Sequence, residues 1–402
     1  MQLVIHRGTH EIGGNCIEIK DANTRLLFDL GLPLDEVISS EVLKQNVTDL
    51  LKTTFPSGIF ITHSHPDHYG LLEYIDKTIP VYASKTTCNI VKNISELRKN
   101  YNFSNLNLNI ISGKTDIDGF TITPYRVDHS APDALAYLIE KDNKRILYTG
   151  DLRFHGITSY FSKNLANIKN VDYLIMEGST IGRTEQDIIT ETDVQNRLIE
   201  IFSTDKLCMI TISSQNLARF ISVFKACLKT KRTLVIDPYT CFVLENFKDL
   251  GKNIPQFDWN NIMVYFGQEG YTKALKETGK LYDYKYKKIS IKDILSEPER
   301  YVVKTADTIT KAILKQYDIS KIEYIYSMWS GYLEKTSYTD PLKPQLKHIH
   351  TSGHSYVRDL QDFVAKLSPK IIIPIHTTYP EKYESLYGSN VKVLNDGEIL
   401  NI

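Results

Sequence analysis

The stretch Thr62-His63-Ser64-His65-Pro66-Asp67-His68 decides the fold of this chain. Its histidine cluster directly follows the apolar run 58–62, which predicts a short buried strand. Two histidines at i and i+2 on a loop leaving a strand can direct their imidazoles at one metal ion. The Asp and His that come next can turn toward a second ion a few ångströms away. A chance cluster of surface histidines explains this spacing poorly, so the stretch predicts a hydrolytic centre with two metal ions.

Three later residues, each at the end of a predicted strand, complete the expected ligand set. They are His129, Asp151 and His376, and each follows an apolar, β-prone run. A carboxylate such as Asp151 can bridge two ions, which one imidazole cannot do. A lone histidine at a strand end is usually only a polar terminus, but three such ends after the histidine cluster favour ligands.

Asp29 ends another predicted strand, and we expect it to hold a ligand histidine in place. The remaining histidines singled out by the sequence are expected to be supporting or surface residues: His6, His10, His155, His348 and His350.

The chain has 402 residues, which suits two domains or one layered domain with an insertion. Its first part consists of short strands and turns, typical of a sandwich of two sheets covered outside by helices. Helical periodicity at 193–202 and 216–229 indicates a change to an α/β unit. The predicted organisation is an N-terminal part at 1–185, an inserted α/β domain at 186–325 and a C-terminal part at 326–402.

Composition excludes several classes of protein. Lys+Arg and Asp+Glu number 48 each, so no overall positive field favours a nonspecific nucleic-acid coat, although a local basic groove stays compatible with this balance. The five cysteines are scattered and form no CxxC pair, which argues against a disulfide framework or a zinc ribbon. No stretch approaches the roughly 20 apolar residues of a membrane helix, and no signal peptide is evident. We therefore expect a cytoplasmic protein without a membrane partner.

Together these residues resemble the metallo-β-lactamase superfamily, which uses HxHxDH, a strand-end His, a bridging Asp and a final His in this chain order. Within it, the chain resembles the β-CASP nucleases, a group that includes ribonuclease J, the cleavage subunit of mRNA 3′-end processing and the Artemis-type DNA nucleases. Glu177 in Leu-Ile-Met-Glu-Gly-Ser-Thr matches the acidic motif of that family, and the run 350–354 matches its His-x-Ser-Gly-His motif. The α/β insertion also lies where the β-CASP domain is inserted.

The resemblance implies the fold class, α/β, as a metallo-β-lactamase αββα sandwich with an inserted β-CASP-like α/β domain. It implies two Zn²⁺ ions, with Mn²⁺ as an alternative, one held by His63, His65 and His129, the other by Asp67, His68 and His376, with Asp151 between them. It also implies catalytic roles for Asp67, Glu177 and His354, and contacts to the scissile phosphate from Ser352, Gly353 and His354.

The implied function is a nuclease that hydrolyses RNA phosphodiester bonds through a hydroxide bridging two metal ions. His376 favours single-stranded RNA, because the Artemis-type enzymes typically lack that final ligand. A DNA nuclease of the same family remains an alternative, as does a small-molecule hydrolase of the thioesterase or lactonase type. The latter leaves the His-x-Ser-Gly-His motif unexplained, and a non-catalytic subunit fits poorly because every ligand is present. Two departures from ribonuclease J are the short stretch after His376 and the sequence around Glu177. Exonuclease or endonuclease action and a homodimer are left open.

Overall fold

A computed structural model describes residues 1–34, 38–97, 103, 105–183, 189–267, 270–335 and 337–402. Its strands are β1 (Gln2–Arg7), β2 (Cys16–Lys20), β3 (Arg25–Phe28), β4 (Gly58–Phe60), β5 (Pro80–Ala83), β6 (Asn107–Ile110), β7 (Thr115–Ile117), β8 (Phe120–Arg126), β9 (Leu135–Lys141), β10 (Lys144–Tyr148), β11 (Tyr173–Glu177), β12 (Leu207–Thr211), β13 (Thr233–Ile236), β14 (Ile262–Val264), β15 (Tyr301–Lys304), β16 (Ile322–Tyr326), β17 (Leu346–His348), β18 (Ile371–Ile375) and β19 (Ile399–Asn401). Its α-helices are α1 (Ser40–Leu51), α2 (Pro66–Tyr69), α3 (Lys85–Leu97), α4 (Tyr160–Leu165), α5 (Glu191–Phe202), α6 (Leu217–Lys229), α7 (Pro238–Asn246), α8 (Gly270–Glu277), α9 (Ile291–Ser296), α10 (Asp307–Leu314), α11 (Val357–Leu367) and α12 (Tyr383–Tyr387).

Two mixed sheets pack face to face and form the central sandwich. The first has the strand order β19-β1-β2-β3-β4-β5-β6, and the second has the order β18-β11-β10-β9-β8-β7. Alternate residues of each strand point inward, as the period of a β-strand requires. Between the sheets, Phe28 stacks on Phe60 at 5.1 Å between ring centroids, and Tyr137 packs against both rings.

Helices cover the outer face of each sheet. On the second sheet, α11 buries Leu360, Phe363, Val364 and Leu367, whose spacing gives one apolar stripe along a helix. On the first sheet, α1 and α3 contribute to the outer core. The result is a four-layer αββα arrangement, so the predicted α/β fold class is confirmed.

A third sheet forms a separate layer and is parallel throughout, in the order β14-β13-β15-β12-β16-β17. Apolar clusters lie on both of its faces, as parallel sheets require. The predicted domain limit at 325 falls inside β16, and β17 beyond that limit pairs with β16. The domain limits stay a prediction, and we propose that the inserted unit extends to about residue 348.

The sandwich brings the predicted ligands to one edge. In the second sheet, β8, β10, β11 and β18 run in the same direction, because β10 pairs in parallel with β11, β11 with β18, and β9 lies antiparallel between β8 and β10. Their carboxyl ends therefore share one edge of that sheet, which is where His129, Asp151 and His376 follow. Within the described residues, no helix is both long enough and apolar enough to cross a membrane.

Candidate metal centre

The first group of ligands gathers His63, His65, His129 and Asp151, whose ligand atoms all lie within 4.8 Å of one another. His65 Nδ1 lies 3.0 Å from His63 Nε2 and 3.2 Å from His129 Nε2. Asp151 Oδ2 lies 3.7 Å from His63 Nε2. Three imidazoles and one carboxylate that converge on a single point form a donor set typical of a zinc site.

The second group gathers Asp67, His68, Asp151 and His376 within the same limit. Asp151 Oδ2 lies 3.2 Å from His68 Nε2 and 3.7 Å from His376 Nε2, so this carboxylate belongs to both groups. The single helical turn α2 begins at Pro66, whose fixed φ suits the first position of a helix. That turn redirects the chain after His65 and aims Asp67 and His68 at the second group.

Buried partners hold the opposite ring nitrogens of the ligand histidines. Asp29 Oδ2 lies 2.8 Å from His68 Nδ1, and Asp29 also accepts hydrogen bonds from the Tyr148 hydroxyl at 2.7 Å and from the backbone N–H of Thr62 at 2.8 Å. The prediction that Asp29 contacts a ligand histidine agrees with this geometry. A carboxylate in that place sets the tautomer that leaves Nε2 free for a metal ion.

The two strand-end histidines, His129 and His376, are held in the same way. His129 Nδ1 lies 2.6 Å from the carbonyl oxygen of Gly353, and His376 Nδ1 lies 3.0 Å from Asn15 Oδ1. His376 has a left-handed backbone, with φ of 54°, which a non-glycine residue adopts only where its surroundings hold it. Sequence reasoning missed Asn15, because 361 positions separate it from its histidine.

The electrostatics of the cluster suit cations. Burial lowers the pKa of His63, His129 and His376 well below the usual value, and it lowers the pKa of His65 to about 4. These imidazoles are therefore neutral, which is the form that binds metal. Both His68 Nε2 and Asp151 Oδ1 are buried without a hydrogen-bond partner. A buried polar atom without a partner is costly, and a metal ion at each group would satisfy both atoms, so the residues present fit such ions.

Glu177 and His354 form a third group with Asp151. His354 Nδ1 lies 2.9 Å from Glu177 Oε2 and 3.8 Å from Asp151 Oδ2. The buried Glu177 also accepts hydrogen bonds from the Ser179 hydroxyl at 2.6 Å and from the backbone N–H of Leu152 at 2.8 Å. Burial opposes protonation of His354, but Glu177 and Asp151 outweigh it and raise the pKa of His354. Asp151 and Asp29 likewise outweigh burial and raise the pKa of His68, so the site combines four histidines of lowered pKa with two of raised pKa.

The residues predicted to touch substrate lie on the loop that carries His354. The hydroxyl of Ser352 accepts a hydrogen bond from the backbone N–H of His354 at 3.0 Å. A Cβ on Gly353 would lie 2.6 Å from the Ser130 hydroxyl, so this position has no room for a side chain. The described contacts of Ser352 and Gly353 are with the protein itself, and substrate binding by them stays a prediction.

A buried charge network braces this loop, and sequence reasoning missed it. Glu191 Oε1 lies 3.3 Å from Arg153 Nη1 and 3.1 Å from Arg219 Nη2. Arg153 donates to the carbonyl oxygen of Ser352 at 3.1 Å, and Arg219 donates to that of Thr351 at 3.3 Å. We call Arg153, Glu191 and Arg219 the charge clamp. The one feature of the sequence that points to the charge clamp is Arg219, a charged residue within the apolar helix α6.

The remaining histidines lie outside the ligand groups. His155 is buried and its Nε2 lies 3.0 Å from the carbonyl oxygen of Ser352, so it supports the same loop. His6 pairs with Glu18 at 2.7 Å, His10 contacts Thr9, and His350 lies beside Arg219. His348 lies at the end of β17 and is exposed.

Comparison with known proteins places this centre in a family. Residues 24–204 match a family model described as a beta-lactamase superfamily domain, and residues 339–384 match one described as a Zn-dependent metallo-hydrolase RNA specificity domain. The chain is also 22% identical, over all of its length and 75% of the relative, to ribonuclease J 2 of Streptococcus pyogenes serotype M3. The chain belongs to the metallo-β-lactamase superfamily, in the β-CASP family of ribonuclease J.

Matches to other relatives cover similar shares of the two chains. The chain is 23% identical to ribonuclease J of Mycoplasma genitalium, with 92% of the chain and 66% of the relative covered. It is 21% identical to ribonuclease J 2 of Staphylococcus aureus, with 92% and 67% covered. The chain thus spans about two thirds to three quarters of the length of these curated relatives. A crystal structure of a protein of unknown function from Enterococcus faecalis V583 shares the fold, with a TM-score of 0.78, 20% identity and 99% of both chains covered.

Each of the two matched segments of this β-CASP chain contains part of the candidate metal centre. The first segment, 24–204, contains His63, Asp151 and Glu177 together with the other N-terminal ligands, and the second, 339–384, contains His354 and His376. The family predicted from the histidine cluster and the His-x-Ser-Gly-His motif is therefore confirmed.

Proposed function

We propose that this chain is a metal-dependent ribonuclease that hydrolyses phosphodiester bonds of single-stranded RNA. The observation that carries the proposal is the position of His354, whose Nδ1 lies 3.8 Å from the carboxylate shared by both ligand groups. A cationic side chain beside a two-metal site suits a substrate that bears negative charge next to the bond that breaks. The matched RNA specificity domain and the relatives named ribonuclease J support RNA as that substrate.

Two ions fit the two ligand groups, and we propose Zn²⁺, with Mn²⁺ as an alternative, because mixed imidazole and carboxylate donors accept both. In this proposal His63, His65 and His129 hold one ion, Asp67, His68 and His376 hold the other, and Asp151 contacts both. When bound, such ions supply Lewis-acid polarisation of a phosphate oxygen and activation of a water molecule.

The side chains around the ions have separate tasks. In the protonated form that Glu177 favours, His354 can neutralise charge on a non-bridging phosphate oxygen and donate a proton to the leaving oxygen. Its side chain is 23% exposed, so substrate can reach it from solvent. Glu177 is buried and receives hydrogen bonds from Ser179 and Leu152, and it therefore holds His354 in a fixed orientation.

A time course on 5′-labelled single-stranded RNA and DNA of equal sequence, with Zn²⁺ or Mn²⁺ added, tests the proposal. We expect RNA to be cleaved, and the product sizes will separate trimming from an end from cuts within the strand. His65→Ala should abolish both metal binding and cleavage, while His10→Ala, outside the ligand groups, should retain both. Cleavage of RNA by metal-free His65→Ala protein, or of DNA alone by the native protein, would contradict the proposal.

Two further expectations belong to the same proposal. We place the protein in the cytoplasm, where single-stranded RNA is available as a substrate. A homodimer is a prediction that light scattering of the purified chain will test, with a monomer mass of 46.1 kDa as the reference.

A further inference from the structure

Beside the metal centre lies a group of exposed aromatic side chains around one arginine. We call Arg183, Trp329, Tyr332 and Tyr379 the aromatic rim. Trp329 is 46% exposed, and Tyr332 and Tyr379 are each 39% exposed, so three aromatic rings reach solvent beside one guanidinium. Packing in the protein core therefore does not explain why aromatic residues occupy these positions.

Trp329 is held in place by its immediate neighbours. The guanidinium carbon of Arg183 lies 5.5 Å from the Trp329 ring centroid, and the Tyr332 ring meets it edge-on at 5.2 Å between centroids. Gly331 packs directly on the indole, because a Cβ there would come within 2.3 Å of Cη2. The backbone carbonyl of Trp329 also accepts a hydrogen bond from the Tyr326 hydroxyl at 3.1 Å. The Trp329 ring is thus about half exposed, yet its neighbours fix its orientation.

Two chain connections join the rim to the metal centre. Arg183 ends the turn that follows Glu177, and within this turn the Thr180 hydroxyl donates to the carbonyl oxygen of Ser355, the residue after His354, at 2.6 Å. Tyr379 comes three residues after His376, and its ring packs against Gly182, where a Cβ would lie 2.4 Å from Cδ2. The rim therefore begins next to the proposed site of phosphate binding.

A single-stranded nucleic acid matches these properties. Every base offers a flat π face that stacks on an aromatic ring, and a guanidinium can contact the phosphates. Alanine substitution of such stacking residues costs about 1–3 kcal/mol per base. A metal centre that acts on small esters has no need for an exposed indole beside a cation.

We propose that Trp329 is a stacking site for a nucleobase close to the scissile phosphate of bound single-stranded RNA, with Arg183 contacting the adjoining backbone. This inference rests on the proposed ribonuclease function and adds a subsite to it. Stacking tolerates every base, so the rim strengthens binding without selecting a sequence.

Fluorescence gives a direct test, because the chain contains two tryptophans, Trp259 and Trp329. In the variant Trp259→Phe, Trp329 is the sole indole, and the replacement keeps an aromatic ring against Phe224. A short single-stranded phosphorothioate RNA, whose linkages resist hydrolysis, is titrated into this metal-loaded variant. We expect saturable quenching of the tryptophan emission. Inorganic pyrophosphate, which has charge but no base, should cause none.

Kinetics provide a second test. Trp329→Ala should raise KM for single-stranded RNA about 5- to 150-fold, the range that corresponds to the loss of one stacked base, with kcat changed less than about threefold. Trp329→Phe should restore most of the lost affinity. Tyr282→Ala removes an exposed aromatic ring outside the rim and should leave KM unchanged.

An abasic substrate completes the design. Placing one abasic nucleotide next to the cleaved bond should weaken binding to the native protein and have little further effect on Trp329→Ala. RNA that binds by anisotropy without quenching Trp329, together with an unchanged KM for Trp329→Ala, would overturn the stacking site and leave the ribonuclease intact. A native protein that cleaves no RNA would instead overturn the proposed function, and the stacking site with it.

Discussion

At the scale of single residues, Asp29 shows how one buried carboxylate organises a ligand. It is fully buried, it has a left-handed backbone with φ of 59°, and it lies 2.8 Å from His68 Nδ1. Hydrogen bonds from Thr62 and Tyr148 occupy the rest of its acceptor capacity. Such a residue acts on a metal ion only through the histidine that it orients.

Replacing Asp29 with Asn should lower metal affinity at the second ligand group about 10- to 100-fold, as the loss of such partners typically does. Competition with a chromophoric chelator measures this change. Tyr148→Phe removes one hydrogen bond to Asp29 and should have a smaller effect in the same direction. Asp116→Asn, an exposed carboxylate on β7, serves as the control, and an equal loss in that variant would contradict the prediction.

His354→Ala should leave metal content near normal and lower turnover by roughly 10²-fold or more, as expected for the loss of an electrostatic or acid group. Metal analysis and single-turnover cleavage measure the two quantities. Loss of the metal in this variant would show that His354 is a ligand rather than a substrate contact.

Glu177→Gln should shift the pH profile of kcat. Burial lowers the pKa of His354, and Glu177 is the largest of the groups that raise it. A reaction that needs the imidazolium loses activity as pH rises through that pKa. Without the Glu177 charge the pKa falls, so the alkaline limb should move to lower pH in the variant. An unchanged limb, with kcat merely scaled down, would contradict a role for Glu177 through His354.

The grouping of the candidate ligands and the contact from Asp29 could be predicted from the sequence, whereas the other supports could not. His63, His65 and His68 share one short motif, and His129, Asp151 and His376 each end an apolar strand. Asn15 has no such pattern, because its partner His376 lies 361 positions away, and the contact of Ser179 with His354 spans 175 positions. Only the packed fold determines which of many Asn or Ser residues reaches the centre.

At the scale of elements, α11 links the loop that carries His354 to the core. The helix begins at Val357, shortly after His354, and its buried stripe seals the outer face of the second sheet. The apolar residues of that stripe are spaced by three and four positions, the period of a helix. The stability of this one helix therefore supports the position of the loop before it.

Leu360→Ala should destabilise the protein by about 2–5 kcal/mol, because it leaves a cavity beneath a fully buried side chain. Urea unfolding followed by circular dichroism measures the change. Asp362→Ala lies on the exposed face of the same helix and should cost less than about 0.5 kcal/mol. Equal effects of the two substitutions would show that α11 does not depend on its apolar stripe.

Long periodic elements were predictable and short ones were not. The predicted helices at 193–202 and 216–229 correspond to α5 and α6, and the apolar run at 371–375 corresponds to β18. By contrast, β17 has three residues, two of them exposed, and its pairing with β16 left no pattern in the sequence. Such an edge strand depends on its neighbour rather than on its own composition.

At the scale of the whole molecule, the charge clamp ties the inserted unit to the sandwich. Glu191 is 1% exposed in its side chain, between Arg153 on the sandwich side and Arg219 on α6. Burial would raise the pKa of Glu191, but Arg219 and Arg153 lower it to about 2. These three residues come from separate segments, so no local pattern could have predicted their contact.

Glu191→Gln should destabilise the protein by about 3–5 kcal/mol at neutral pH, because it removes the counter-charge of the buried Arg219 guanidinium and leaves Asp128, at 3.4 Å, as the remaining counter-charge of Arg153. A carboxylate with a depressed pKa stabilises the folded state above its unfolded pKa, near 4.5, and loses that effect as pH falls toward 2. The stability difference between native protein and variant should therefore be constant above about pH 5 and shrink below it.

Urea unfolding across this pH range tests the prediction. Asp307→Asn breaks an exposed pair with Lys311 and should change stability by less than about 1 kcal/mol at any pH. A pH-independent difference for Glu191→Gln would show that the charge of Glu191 is not what the clamp uses.

The helix α3 has a consequence for how this molecule could be altered. Its residues Cys88 and Val91 belong to the outer core of the first sheet, whereas Ile90 and Leu97 belong to the core of the third sheet. One helix therefore serves two hydrophobic interiors. A shortened chain from which the insertion is excised would expose that second apolar face to water and would tend to self-associate. The two units share this helix, so moving either one to another scaffold would require a redesign of α3.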